Sequence, residues 1–242
     1  MVSNQFIIEE NKLHSLENSP ISKNVPCCPE TYSQDGEDII ISSLLRAQML
    51  RENRSMNDVF YIEIGANHPI YTSNTYLLYK KYAAHGLLIE ADPNLIADLK
   101  RTRPRDTVVQ CAISNLHDPE VVLHVAQASE LSSLNPNHIH SFGQFFGHGG
   151  ISQSVRVPNI HINVLLEDVN KVDFISIDCE GLDYDIISSI DFEKFKPFII
   201  QCEPSEHFMK GNTSKIISFL ESRSYKLQAR TDINLIFTRL SL

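Results

Sequence analysis

The chain has 242 residues, 42% of them hydrophobic and 21% charged, enough for one α/β domain with a sizeable core. Thirty acidic against 21 basic residues give a formal charge of -9, which repels a phosphate backbone and argues against nucleic acid as a partner. No apolar run approaches the roughly 18 residues of a membrane helix, so insertion into a bilayer is not expected either.

Residues 1–30 are polar, contain Ser19-Pro20 and Val25-Pro26, and read as an N-terminal arm ahead of a single domain over residues 31–242. The arm has no basic stretch leading into an apolar segment and a small-residue cleavage site, so no secretion signal is expected. Its Cys27-Cys28 pair has no second CxxC or CxxH nearby and does not read as a zinc site. Cys111, Cys179 and Cys202 sit inside or beside apolar runs and read as buried, reduced thiols of a cytoplasmic protein.

From Tyr32 to Asp38 the sequence leads into an amphipathic helix carrying Ile39-Ile40-Ile41 and Leu44-Leu45. Val59 to Ile64 reads as a buried parallel strand that runs into a Gly65-Ala66-Asn67 turn, with a carboxylate, Glu63, inside the apolar run. Thr72 to Thr75 supplies N-cap chemistry for a helix through about Ala84, which Gly86 ends, and Leu87 to Glu90 reads as a second strand. Asp92-Pro93 opens a third helix, and Thr107 to Ile113 reads as a third strand. Three βα units in succession imply a right-handed, doubly wound parallel sheet with helices on both faces.

The middle of the chain is less regular. Val121 to Val125 and Val155 to Pro158 read as short strands, with a helix near Asn163 to Asp168. Between the two strands, Asn135 to Gly150 reads as a loop, part of a lid-like insertion over about residues 127–158. Val172 to Asp178 and Phe198 to Cys202 read as further core strands, with Asp183 capping the helix between them. A helix from about Thr213 to Arg223 precedes the strands Tyr225 to Ala229 and Asn234 to Thr238. The tight turn between those last strands makes them an antiparallel pair, as in methyltransferase sheets and unlike a nicotinamide-binding sheet, which is parallel to its last strand.

Ligands of open α/β sheets bind beyond the carboxyl ends of the strands, at the switch point beside the first one. That rule gathers Glu63, Gly65, Ala66, Asn67, Glu90, Asp92, Ser114, Asp178, Glu180 and Glu203 around one crevice. Gly65 lets backbone approach a ligand, and Glu90, ending the second strand, suits the two hydroxyls of a ribose. A single glycine without a following GxxG does not cradle a pyrophosphate, which disfavours the alternative of a nicotinamide-dependent oxidoreductase. A ribose-bearing ligand without phosphate, S-adenosylmethionine, fits better, and its cationic end suits the acidic surroundings. A non-catalytic domain that binds the cofactor only to support an interaction surface is the other alternative.

Tyr32-Ser33-Gln34-Asp35-Gly36-Glu37-Asp38, Ile62 to Asn67, Ser73-Asn74-Thr75-Tyr76, Ile89-Glu90-Ala91-Asp92-Pro93 and Ile175 to Gly181, in that order, resemble the FkbM family of S-adenosylmethionine-dependent methyltransferases. The resemblance runs from about Tyr32 to the final Asn234-Leu235-Ile236-Phe237 strand. It implies a class I, Rossmann-like methyltransferase fold: a seven-stranded, mostly parallel sheet with an antiparallel C-terminal hairpin. It also implies O-methylation of a sugar hydroxyl or a related glycan or natural-product acceptor. The expected cofactor contacts are Glu63, Gly65, Ala66, Asn67, Ser73, Asn74, Glu90, Ala91, Asp92, Ala112, Ile113, Ser114 and Asp178. In many family members the Gly-Ala-Asn turn continues Asp-Gly, whereas this chain has His68-Pro69.

Methyl transfer to a hydroxyl needs alignment of the reactants and a proton acceptor. Asp178 and Glu203 suit that role or the binding of Mg²⁺, which oxygen ligands favour over zinc. Asp178, Glu180 and His207 are the candidate catalytic residues, with His207 in an acceptor-side loop and a histidine's pKa near neutrality. His138, His140 and His148 in the expected lid lack a fixed metal-binding spacing and read as solvated, while Ser132-Ser133-Leu134 is placed to touch the acceptor.

Overall fold

A computed structural model of the chain describes residues 30–146, 150–167, 169 and 171–240, of which 142–146 by backbone alone. The polar arm up to residue 29, the Cys27-Cys28 pair and His148 lie outside the described residues.

The strands are β1 (Phe60–Ile64), β2 (His85–Glu90), β3 (Thr107–Gln110), β4 (Ala112–Ile113), β5 (Glu120–Ala126), β6 (Ile151–Ile160), β7 (Phe174–Ile177), β8 (Ile199–Cys202), β9 (Tyr225–Arg230) and β10 (Leu235–Arg239). Seven of them form one sheet in the order β3-β2-β1-β7-β8-β10-β9. Its first five members pair in parallel, and β10 pairs antiparallel with both β8 and β9. The class I methyltransferase arrangement, with its antiparallel C-terminal pair, is therefore the architecture of this chain. The helices are α1 (Glu37–Arg51), α2 (Tyr76–Tyr82), α3 (Ile96–Thr102), α4 (Pro136–Phe146), α5 (Ile162–Leu165), α6 (Asp183–Ser189) and α7 (Asn212–Ser222).

Period-2 alternation in the strands divides the core into two apolar layers. Ile62, Ile64, Ile175, Ile177, Ile200 and Cys202 pack with Ile186 and Ile187 of α6 and Ile216 and Leu220 of α7. Tyr61, Leu88, Phe174, Ile199 and Ile236 pack with Ile41, Leu45 and Met49 of α1, Leu78 of α2 and Leu99 of α3. Each of these fully buried aliphatic side chains contributes about 1.5–3 kcal/mol of transfer free energy.

Three expectations change on contact with the structure. Gly86 does not end α2; Ala83 does, in the left-handed conformation, and Gly86 lies within β2. A Cβ at Gly86 would sit 2.0 Å from the Tyr61 carbonyl oxygen, so the glycine lets β2 pass β1. The strand read from Thr107 to Ile113 breaks at Cys111: β3 joins the main sheet, and β4 joins β6 and β5 in a second, three-stranded sheet. Within that sheet β6 is ten residues long, because Val155 and Val157 pair with Leu123 and Val121 of β5 and share a small apolar cluster with them. Third, the segment read as a loop over Asn135 to Gly150 carries α4. Pro136 opens that helix and the Asn135 side chain accepts a hydrogen bond from Asn137 N–H.

The carboxylate of Glu63, noted as awkward inside β1, anchors the entry to α2. It accepts hydrogen bonds from Thr75 Oγ1 (2.6 Å), Asn74 N–H (2.9 Å) and Ser73 Oγ (3.1 Å). Behind it lies Arg103, fully buried, which reaches Asp106 through Nε (2.8 Å) and Tyr61 Oη and Thr75 Oγ1 through Nη2 (each 2.9 Å). Arg103 also donates to the Pro69 carbonyl, so the His68-Pro69 departure closes a turn onto the same guanidinium. The turn is completed by His68 Nδ1, which accepts from the N–H groups of Ile70 and Tyr71.

Removing Arg103 strands the buried carboxylates of Glu63 and Asp106, a defect worth about 3–5 kcal/mol. Arg103→Met is therefore expected to lower unfolding free energy in urea by that amount, and a loss below about 1 kcal/mol would contradict the role given to this network.

Candidate active site

The last paired row of the central sheet runs Ile89, Ile64, Ile177, Cys202, Leu235 across five adjacent strands. One residue further along each strand stand Glu90, Gly65, Asp178, Glu203 and, because β10 is antiparallel, Asn234. All five line a cavity of about 550 Å³ at the carboxyl edge of the sheet.

Strand pairing fixes the floor of this cavity. Gly65 has φ 79, and both its N–H and that of Ala66 donate to the Ile89 carbonyl at 3.0 Å. A Cβ on Gly65 would lie 1.9 Å from the Asp178 carbonyl oxygen, so any side chain there collides with the end of β7. Glu90 is 7% exposed and held at both oxygens: Oε2 accepts from Asn67 N–H and Oε1 from Asp92 N–H, each at 2.7 Å. A carboxylate has about four lone-pair positions, so two bonds fix its plane and leave capacity on the cavity side. Burial raises its pKa, offset in part by those backbone bonds.

The remaining expected residues divide. Gly65, Ala66, Asn67, Glu90, Ala91, Ala112, Ile113, Asp178, Glu180, Glu203 and His207 line the cavity, as do Ser132, Ser133 and Leu134. Glu63, Ser73, Asn74, Asp92 and Ser114 stand behind it. Ser73 and Asn74 bond Glu63, Asp92 holds Glu90 and the Asn94 N–H, and Ser114 Oγ donates to Asn159. Of the histidines, His140 is exposed on α4 with Nδ1 2.6 Å from the Pro136 carbonyl, whereas His138 is buried. His138 Nε2 lies 3.4 Å from Glu180 Oε2, and its ring packs 5.5 Å from that of His207.

Asp178, Glu180 and Glu203 carry carboxylate oxygens that lie within 4.8 Å of one another. Burial raises the pKa of each, and repulsion from neighbouring carboxylates adds to it. The Asp178 carboxyl is pushed up to about 7, by burial first and then by Glu63, Glu90 and Glu37; that of Glu203 is pushed up to about 9. Asp183, fully buried at the start of α6, accepts from the N–H groups of Cys179 and Glu203 and so ties β7 to β8 behind the group. Burial and His207 hold the His138 imidazole down at about 4, and burial lowers that of His207, so both rings are neutral at pH 7.

Sequence reasoning missed the opposite wall. Ser129, Glu130, Ser205 and the Arg230 to Asn234 turn also line the cavity. Ser129 Oγ donates to Asn67 Oδ1 (3.1 Å) and Ser133 Oγ donates to the Glu180 carbonyl (3.0 Å), tying the inserted segment to both ends of the site. Asn234 comes level with Glu203 through the antiparallel pairing of β10 with β8, which the reading of the final hairpin does not contain.

A family model for the methyltransferase FkbM domain matches residues 63–227. No curated protein matches the chain. Among solved structures, precorrin-6y C5,15-methyltransferase from Geobacter metallireducens is similar at 14% identity, covering 89% of this chain and 94% of that one, with a TM-score of 0.45. An SAH-bound methyltransferase from Podospora anserina is 11% identical over 100% of this chain and 99% of that one, with a TM-score of 0.43. A methyltransferase from Pyrococcus furiosus is 12% identical over 96% and 98%, with a TM-score of 0.38.

Gly65 and Gly36 both have positive φ, but nothing lies within 4 Å of a Cβ built on Gly36. Thermal melts should therefore separate them: Gly36→Ala carries only the left-handed strain of about 1–2 kcal/mol, while Gly65→Ala adds a backbone collision and loses substantially more. Equal Tm shifts for the two variants would contradict the close approach of β1 to Asp178.

Proposed function

The chain belongs to the FkbM methyltransferase family, and on that premise we propose that it is an S-adenosylmethionine-dependent enzyme that methylates a hydroxyl of a sugar or a related small molecule. The observation that carries this reading is Glu90, locked by two backbone N–H groups beside the Gly65 turn and facing a cavity of about 550 Å³. That volume lies within the range of small-molecule sites. A bare backbone at Gly65, a fixed carboxylate at Glu90 and apolar walls from Ala112 and Ile113 suit a nucleoside whose ribose hydroxyls reach Glu90. No described residue builds a GxGxxG cradle, which leaves the pyrophosphate of a nicotinamide cofactor without its usual support.

When bound, S-adenosylmethionine supplies an electrophilic methyl group. The protein's share is to hold the acceptor hydroxyl in line with it and to take the hydroxyl proton. Asp178 is the residue we assign to the proton: its Oδ1 is inaccessible to solvent and makes no hydrogen bond among the described residues. Glu180 and His207 flank it, and a neutral His207 can relay the proton outward. Mg²⁺ at Asp178, Glu180 and Glu203 is a second reading, favoured by the closeness of their oxygens; loss of turnover in EDTA, restored by Mg²⁺, would support it. The free thiols Cys111, Cys179 and Cys202 fit a reducing, cytoplasmic setting. Among the described residues no helix is long and apolar enough to cross a membrane.

Calorimetric titration with S-adenosylhomocysteine should give a single site, and Glu90→Ala should weaken it at least tenfold. Unchanged affinity in that variant would remove the ribose assignment. The pH profile checks the base. Asp178 is protonated below about pH 7 and ionised above it, so kcat/KM should rise through that pH and level off on the alkaline side. Asp178→Asn should lower kcat by 10²–10⁴-fold and abolish the rise; a variant with wild-type turnover would contradict the assignment.

A further inference from the structure

Besides Glu90, the cavity is lined by Glu130, Asp178, Glu180, Glu203, Glu206 and Asp232, with Arg230 as the one lysine or arginine among the described lining residues. An anionic acceptor entering this field finds a single guanidinium among acidic groups and little to pair with. The uncharged atoms point the same way. Asn234 is 2% exposed; its amide nitrogen donates to Glu37 Oε1, which orients the amide and leaves Oδ1 buried without a hydrogen bond among the described residues. Ser205 is 1% exposed, holds a positive φ of 44, and its Oγ is likewise buried without a partner among the described residues. Both line the cavity: Asn234 stands beside Glu203 across the β8–β10 register, and Ser205 lies two residues beyond Glu203.

Asn234 Oδ1 and an ionised Glu203 can only accept hydrogen bonds, and Ser205 Oγ can accept one. A donor with three hydrogens and no lone pair, a protonated primary amine, is a group able to serve three such acceptors at once. Resting on the methyltransferase reading above, we propose that the acceptor is an amino alcohol of the 2-amino sugar type, its ammonium held by Glu203, Asn234 and Ser205 and its neighbouring hydroxyl presented to Asp178. An ammonium also opposes the raised acidic pKa values, which come from burial first and neighbouring carboxylates second, since a cation seated among them favours their ionised forms.

The test uses the full chain, with and without S-adenosylhomocysteine, titrated by calorimetry and ligand-observed NMR with glucosamine, glucose and glucuronate. Glucosamine is expected to bind at least tenfold more tightly than glucose, and glucuronate not to bind. Glu203→Gln, Asn234→Leu and the milder Ser205→Ala should each weaken glucosamine at least fivefold while S-adenosylhomocysteine affinity stays within twofold, which also shows that the variants fold. Glucose or glucuronate binding as well as glucosamine, no glucosamine binding, or a Mg²⁺-induced rise in Tm that Glu203→Gln abolishes while glucosamine has no effect would each overturn the proposal. Loss of cofactor affinity in Asn234→Leu and Ser205→Ala with glucosamine unaffected would overturn it too, by giving the subsite to the cofactor. Failure of S-adenosylhomocysteine to bind, with the preference for glucosamine intact, would overturn the cofactor reading alone.

Discussion

The site depends on how closely the ends of β1 and β7 approach. The Asp178 carbonyl occupies the place where a side chain at position 65 would go, so a glycine with positive φ is the residue that lets β1 turn there. Because Gly65 turns there, its N–H and that of Ala66 reach back to β2, and Asn67 N–H falls on Glu90. Asp178 N–H in turn donates to the Ile64 carbonyl, so β7 ends level with β1. Glu90, Gly65, Asp178, Glu203 and Asn234 therefore form one row along the edge of the sheet, and the cavity is built on that row.

Two populations of buried acid follow from the same geometry, and they have different fates. Glu63 and Asp106 lie beneath the site and are matched: Arg103, three residues of the α2 entry and Tyr61 satisfy them. Asp178, Glu180 and Glu203 line the cavity itself and lie close to one another. Continuum reasoning gives a matched buried pair little net stability, so the value of the lower network is to fix where α2 begins. Unmatched carboxylates cost stability outright, and a protein keeps such strain where binding of a cation or transfer of a proton relieves it. The contrast between the two groups is the reason the proposed chemistry is assigned to the upper one.

The parallel strands, the glycine turn and Glu90 were legible because each is a local pattern: an apolar run, a special φ and an acid at a strand end. Glu63 was visible as an anomaly, but its partners at Ser73 to Thr75 and Arg103 come from turns that no periodicity joins to β1. Cys111 shows a second limit. A continuous apolar run from Thr107 to Ile113 does not reveal that its halves pair in different sheets. Along β6, exposed polar residues such as Gln153 and Ser154 masked a strand held by cross-strand pairing to β5, and glycines after Phe142 masked α4. Ser205 and Asn234 are ordinary polar residues in sequence, and only burial makes them informative.

A crystal structure of the protein with S-adenosylhomocysteine would test the central claim most directly. The account predicts density in the Gly65 cavity with both ribose hydroxyls within hydrogen-bond distance of Glu90 and the sulfur on the Asp178 side. A cofactor bound outside that cavity, or one whose ribose leaves Glu90 untouched, would contradict it.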